Sequence, residues 1–369
     1  MTDLGFPHRH EDWRWSDLSA IEAALGALPT APANDAAPDL SEWMLPDHDG
    51  PRLIFVDGRY VEQGSTPFLV EVGSEPHAPE RGPLGTLAAQ HRAVRVNAKP
   101  GARLHIINYA SGGQAHLDLN YDCPAGETLH VVETYVGGGD CWTNVAVTAN
   151  VGSGGRISRA VRLLQQGGVW TESVIGTLDK DANYGSVSMI GNVQSARSEY
   201  ALTLGDAAEA HVDGTMVGGD TADGAKQVFD VVGRIRHEGV GGSSGQTWRS
   251  VAAKRAMVSF AGRIEVARGA QQTDANEDVK ALLLDRTATA NAKPELEIFA
   301  DDVKCAHGAT VGELDKQAMF YLASRGVPEN RARTLLTEAF VADAFEAVEN
   351  ADLRDLLGAD ARRALETVR

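Results

Sequence analysis

Between about residue 100 and residue 275, hydrophobic and polar positions alternate along short runs. The clearest run is Thr143-Asn144-Val145-Ala146-Val147-Thr148-Ala149-Asn150-Val151. The same period of two recurs in Tyr200–Leu204, His211–Val217 and Val228–Val232. That period places successive side chains on opposite faces and predicts strands. Gly137-Gly138-Gly139, Gly152-Ser153-Gly154-Gly155, Gly167-Gly168 and Gly218-Gly219 separate the runs as turns. Shorter strands are predicted at Leu53–Val56, Phe68–Val72, Val94–Val96 and Leu104–Asn108. So many short strands without a helical segment fit a sandwich, a barrel or a β-solenoid. No crisp repeat period selects among them, and the length of the segment leans toward the solenoid.

Helical patterns flank this body. Leu18, Ile21, Leu25 and Leu28 recur at spacings of three and four, so residues 1 to about 28 read as helix, capped by Asp12 or Ser16. Residues 29 to 50 carry Pro29, Pro32, Pro38 and Pro46 and read as linker. In the last sixty residues, Leu314, Ala318, Tyr321 and Leu322 form one stripe, stopped by Gly326. Pro328 opens a second helix, with the stripe Ala332, Leu335, Leu336, Ala339 and Phe340. Leu353, Leu356, Leu357 and Leu365 form a third. The expected division is a helical region and linker over 1–50, a β core over 51–310 and a helical domain over 311–369. Proline agrees: 12 of the 14 lie between Pro7 and Pro124, whereas 23 of the 39 glycines fall between 131 and 270. A proline-free, glycine-rich segment satisfies its backbone in ladders and turns at its glycines.

The 369 residues carry 34 Lys and Arg against 51 Asp and Glu, a formal charge of −17. Such a chain is a poor general binder of nucleic acid or anionic lipid. No stretch approaches 18 uncharged apolar residues, and the first ten have no apolar run typical of a secretory signal. Three scattered cysteines, Cys123, Cys141 and Cys305, make no disulfide framework and point to a reducing cytoplasm.

Several motifs fail on chemistry. Gly219-Asp220-Thr221-Ala222-Asp223-Gly224-Ala225-Lys226 echoes a P-loop, but Ala225 splits the Gly-Lys pair and no hydroxyl follows the lysine, so a hairpin turn is the better reading. Cys123, His130 and Cys141 match no zinc spacing and read as core cysteines in strands. Gly239–Gly245 reads as a turn rather than an anion cradle. One segment remains, Asp301-Asp302-Val303-Lys304-Cys305-Ala306-His307-Gly308-Ala309-Thr310. In an extended strand Cys305 and His307 share a face. Thiolate and imidazole suit iron, and Lys304 next door favours the thiolate.

That segment, with Phe320-Tyr321-Leu322 and Ser324-Arg325-Gly326, resembles the signature of the SufD family, subunits of the SUF iron–sulfur cluster assembly system. Arg9-His10-Glu11-Asp12-Trp13-Arg14-Trp15-Ser16-Asp17-Leu18 is similar to the family's N-terminal pattern, and Gly262–Val266 through Ala270–Ala275 to its last core turns. The family usually has glutamine where Glu277 stands and serine where Asp285 stands. The resemblance implies a right-handed parallel β-helix between two helical regions. It implies a non-enzymatic scaffold that pairs with a SufB-like subunit, docks a SufC-like ATPase and supports iron and cluster chemistry at the interface. The candidate ligands are His307 and Cys305, for transient iron or a transient cluster with no stably bound cofactor. A homodimer is open to the isolated chain.

Two rivals stand beside this reading. A carbohydrate-active β-helix would cluster carboxylates such as Asp213, Asp220 and Asp223 on one face. A SufB-like scaffold would build the cluster on this chain alone.

Overall fold

In a computed structural model, which describes residues 13, 16–31, 37–46, 48, 50–66, 70–74, 82–89, 93–96, 101 and 103–368, the chain winds into a parallel β-solenoid. From the strand Arg103–Ala110 onward, successive strands alternate between two sheets, one of ten strands and one of nine. Each strand therefore pairs with the strand two earlier and two later, in parallel. The inner faces of both sheets form one core, which includes Tyr121, Tyr135, Trp170, Tyr184, Phe229, Trp248 and Phe260.

The register explains why no repeat period is visible in the sequence. Asn183 sits beside Glu209, 26 residues on, and Glu209 beside Ser243, 34 residues on. Strand lengths are steady while the loops between them vary, so matching positions drift out of phase. The glycine-rich Gly219–Gln227 segment is one such loop. Asp220 and Lys226 bridge antiparallel across it, which makes it the small hairpin that its sequence suggests.

The first turns close on themselves. Arg52–Val56 and Arg59–Val61 form an antiparallel hairpin through Asp57 and Gly58, both at positive φ (52° and 77°). An Asp-Gly pair is the usual occupant of that turn, a signal the periodicity reading passed over. Val70–Ser74 pairs antiparallel with Ala93–Val96 and ends the other sheet. Residues 67–69, where the strand expected from Phe68 begins, lie outside the described residues.

The amino-terminal helix is shorter than expected: α1 spans Ser19–Ala27. Asp12 lies outside the described residues, and Ser16 caps nothing. Instead the Asp17 carboxylate accepts the Ser19 backbone N–H at 3.2 Å. The linker is not loose: Leu40 is buried with Ile54, Val56 and Ile107, and Trp43 and Met44 pack against them. A helix absent from the sequence reading, α2 (Pro83–Ala89), buries Leu84 in a cluster with Trp13, Ile21 and Trp142.

Three helices end the chain: α3 (Lys316–Ser324), α4 (Glu329–Ala342) and α5 (Ala351–Val368). They do not plug the end of the solenoid. Residues of α4 and α5 lie with the segment Asp343–Phe345 on the outer face of the ten-stranded sheet, against Ala160, Val187, Met189, Val217, Val251 and Leu282. Two buried arginines fasten them. Arg162 Nε donates to Asp360 at 2.6 Å, and Arg249 Nε donates to Asp343 at 2.5 Å. Of the expected α4 stripe, Ala332 is buried but Leu335 is exposed; the face actually buried carries Ala332, Thr337 and Val341. The α5 stripe holds at Leu357 and Leu365 and extends to Ala361, Ala364 and Val368. The α3 stripe packs only loosely: Leu314, Ala318 and Leu322 are half-buried, with Leu314 against the tail cluster. No residue of this helix is fully buried, and Phe320 and Tyr321 are 75% and 57% exposed.

Candidate functional site

The last two strands, Thr289–Ile298 and Lys304–Gly312, are the free edges of the two sheets. Nearly every residue in them is exposed or half-buried, in contrast to the strands beneath. Backbone direction alternates along a strand. Lys304 N–H donates to Thr273, so the amides of Cys305, His307, Ala309 and Val311 face outward. Thr289 and Phe299 N–H donate to Ala256 and Val266, so the nitrogen of Pro294 faces the open side, where a proline costs its own ladder nothing.

Parallel register carries a face from one strand to the next. Cys305 lies beside Ala275 and His307 beside Glu277. Ala275 and Glu277 are buried in the interior, so Cys305 and His307 share the inner face, at the rim of the solenoid. This is the arrangement the C-x-H spacing suggested. Cys305 is half-buried near Ile264, Val266 and Ala300, while His307 is exposed. Burial, and then the charge of Asp274, push the Cys305 thiol up. The expectation that Lys304 favours the thiolate therefore fails; Lys304 lies beside Asp274 on the other face of the strand.

Beneath His307 runs a buried polar column. Tyr200 Oη donates to Gln246 Oε1, and Gln246 Nε2 donates to Glu277 Oε1 at 2.5 Å. Glu277 is 0% exposed, and its Oε2 makes no hydrogen bond. Burial raises its pKa to about 7, against the lowering effects of the Gln246 amide and the approaching Glu295 backbone N–H. Two glycines side by side in register on adjacent strands of the nine-stranded sheet make room for the column. A Cβ on Gly262 would sit 2.5 Å from Glu277 Oε1, and one on Gly233 2.1 Å from the Tyr200 ring. The sequence marked Glu277 only as a departure from a familiar pattern. The signal that identifies it is its inward register between Ala275 and Val279.

A second interior cluster lies farther back. Arg159 Nε donates to Glu133 at 2.6 Å and its Nη2 reaches Glu172, all three within 2% of full burial. Tyr121 and Tyr135 also donate to Glu133. Burial pushes the Glu133 carboxyl up, but the Arg159 charge and these hydrogen bonds outweigh it and hold the pKa below the usual range.

The other sequence candidates do not converge. Cys123 and Cys141 are buried strand cysteines, with Cys141 pushed up to about 12 by burial and then by Asp57 and Asp140. Asp213 accepts the Thr247 N–H, Asp220 pairs with Arg255, and Asp223 accepts the Thr221 hydroxyl, each in a different setting. The N-terminal motif is an anchor: the Arg197 guanidinium lies 3.8 Å over the Trp13 ring, Ser16 donates to Asp230, and Asp17 pairs with Lys226 at 2.6 Å. Among the described residues, no three His, Cys, Asp or Glu side chains converge as a complete metal site, and no helix is long and apolar enough to cross a membrane.

Comparison with known proteins bears on the whole chain. Residues 121–340 match the family described as SUF system FeS cluster assembly, SufBD core domain. The chain is 26% identical to the iron–sulfur cluster assembly protein SufD of Escherichia coli, over 95% of this chain and 87% of that protein. It is 34% identical to the chloroplastic protein ABCI7 of Arabidopsis thaliana over 44% of this chain and 37% of that one. It is 29% identical to the SufD of Plasmodium falciparum over 35% of this chain and 9% of that one.

Proposed function

Because the chain belongs to the SufBD core family of SUF iron–sulfur cluster assembly, we propose that it is a non-catalytic scaffold subunit, whose bare last turn pairs with a SufB-like subunit and whose tail receives a SufC-like ATPase. A role in SUF cluster assembly follows from the family itself. The observation that carries the finer reading is the uncovered last turn. Two sheet edges end side by side, with outward amides on one and Ile298, Phe299 and Val311 exposed around them. Unpaired edges invite strand addition, and a partner's strands are the natural cover. The helices α4 and α5 offer no alternative cover, because they lie on the flank and both edge strands stay exposed.

His307 and Cys305 stand on the inner rim of that edge. In this reading they meet ligands from the partner and hold iron or a nascent cluster as cargo, His307 through its imidazole and Cys305 as a second ligand. The absence of a P-loop fits an ATPase supplied by another chain. Its dock is α3, where Phe320, Tyr321 and Arg325 lie on the exposed face of the helix.

The test of pairing uses the direction of each amide. Proline at Glu297 would break the chain's own ladder, because that N–H faces inward toward the neighbouring strand. Proline at Ala309 removes an outward donor instead. Ala309→Pro should leave the isolated chain folded and abolish co-purification with a SufB-like subunit; unchanged assembly would overturn the pairing. His307→Ala should then leave the complex intact and stop cluster delivery. Retained delivery would remove His307 from the site. A stable cluster reconstituted on this chain alone would favour a self-sufficient scaffold.

A further inference from the structure

We propose that Glu277 is a third donor at this rim, so that the chain itself presents an oxygen–nitrogen pair, Glu277 and His307, to a ferrous ion. The inference rests on the reading of the last turn as the cluster-building site and adds a ligand that the C-x-H motif does not contain.

Four observations carry it. Glu277 and His307 are register partners on adjacent parallel strands, with both side chains on the inner face. Neighbouring strands are about 4.8 Å apart, so the two side chains stack as consecutive steps of one column. The Glu277 carboxyl is completely buried, yet Oε2 has no partner within hydrogen-bond distance; the Glu295 backbone N–H approaches the carboxyl without closing that gap. A buried carboxyl oxygen without a partner is costly, and a bound cation is one of the few groups that offsets the cost. The remaining oxygen is fixed. Gln246 holds Oε1, and Gln246 is itself held by Tyr200, so Oε2 is the free atom. Finally, the facing sheet is cut back to accommodate this arrangement. A side chain at Gly262 would strike Oε1, and one at Gly233 would strike Tyr200.

The donor chemistry identifies the cargo. Thiolate-only sets favour assembled clusters, whereas carboxylate with imidazole suits a single ferrous ion. Glu277 and His307 thus present a landing place for iron before sulfide joins it. Cys305, two residues along the same face, stands next to receive the ion as it becomes part of a cluster. Glu133 and Glu172 serve no such purpose, because their oxygens are taken up by Arg159 and its neighbours in the interior.

The experiment is an anaerobic titration of the full-length chain with ferrous ion, read by equilibrium dialysis and by Mössbauer spectra of bound iron-57. The wild-type chain should hold one equivalent with nitrogen and oxygen ligation. Glu277→Gln keeps the shape and the Gln246 contact, and should weaken binding at least about tenfold while changing the spectrum. His307→Ala should weaken it as much, whereas Glu295→Gln, at a neighbouring carboxylate on the outer face, should not. Circular dichroism confirms that each variant is folded. If Glu277→Gln binds as the wild type does while His307→Ala does not, this inference is overturned and the site reading stands. If His307→Ala also binds normally, or the wild-type chain takes up no iron, the site reading falls with it.

Discussion

The two ends of the solenoid solve the same problem in opposite ways. A stack of strands has two raw ends, each with unpaired backbone and exposed core. At the first end both sheets turn back in antiparallel pairs, Arg52–Val56 with Arg59–Val61 and Val70–Ser74 with Ala93–Val96. The linker adds Leu40 and Trp43 over the first of these. At the last end Thr289–Ile298 and Lys304–Gly312 each pair only with the strand beneath, and among the described residues no strand pairs with their outer edges. The helices α4 and α5 lie on the flank and leave that end uncovered. In the reading proposed above, the bare end is the surface kept for another molecule.

The strongest way to break the comparison is to move one proline by one residue. Thr310→Pro removes an amide that faces the chain's own sheet, whereas Ala309→Pro removes one that faces out. The first should lower the thermal midpoint of the isolated chain, and the second should leave it nearly unchanged while abolishing assembly. Equal effects on both would mean that the edge is not an interface.

Releasing the tail is the next largest perturbation. Asp360→Ala leaves Arg162 buried without its partner, which should cost about 3–5 kcal/mol in urea unfolding. A cost below about 1 kcal/mol would show that the tail is not fastened to the flank through this pair.

The bare end should also carry a pH signature. Glu277 titrates at about 7 in the folded chain, against an ordinary value of 4.5. Between those values the folded chain keeps a proton that the unfolded chain releases. The protonated carboxyl therefore stabilises the fold below about pH 4.5, and that stability is lost as pH rises through 7. Glu277→Gln removes the loss. At pH 8 the variant should be more stable than the parent by up to about 3 kcal/mol, with little difference at pH 4.5. His237, lowered to about 4 by burial, acts in the opposite sense, with stability lost as pH falls below 6.5. The comparison is therefore made variant against parent at each pH. A difference that does not grow with pH would refute the assignment.

The smallest stability effect belongs to α3. Replacing the exposed Phe320 and Tyr321 together by alanine should change stability by no more than about 0.5 kcal/mol and abolish ATPase binding. Binding that survives would move the dock elsewhere.

Strands were legible because a period of two survives local noise, and Thr143–Val151 falls wholly within the strand Cys141–Val151. The solenoid was less legible, because loops such as Gly219–Gln227 put its turns out of phase. The helical stripes were legible for α5 and only partly for α3, where Leu314, Ala318 and Leu322 are half-buried but Tyr321 faces solvent. At the site, C-x-H spacing was enough to put Cys305 and His307 on one face. It could not reveal Glu277, which sits in a run, Asn276-Glu277-Asp278, that reads as an ordinary charged surface. Only the register with His307 and the glycine opposite turn that residue inward.

Arg162 and Arg249 fall in one register column, with Met189 and Thr215 between them, and the tail grips both ends of it. A stacked array ordinarily melts as a chain of neighbours, each turn answering only to the next. Here a single returning segment bonds to turns that do not touch, so the middle of the stack gains cooperativity over a longer range than its own hydrogen bonds provide. Fraying that starts at the bare end would meet its first long-range barrier at Arg249, which leaves the last two strands free to rearrange without unravelling the rest.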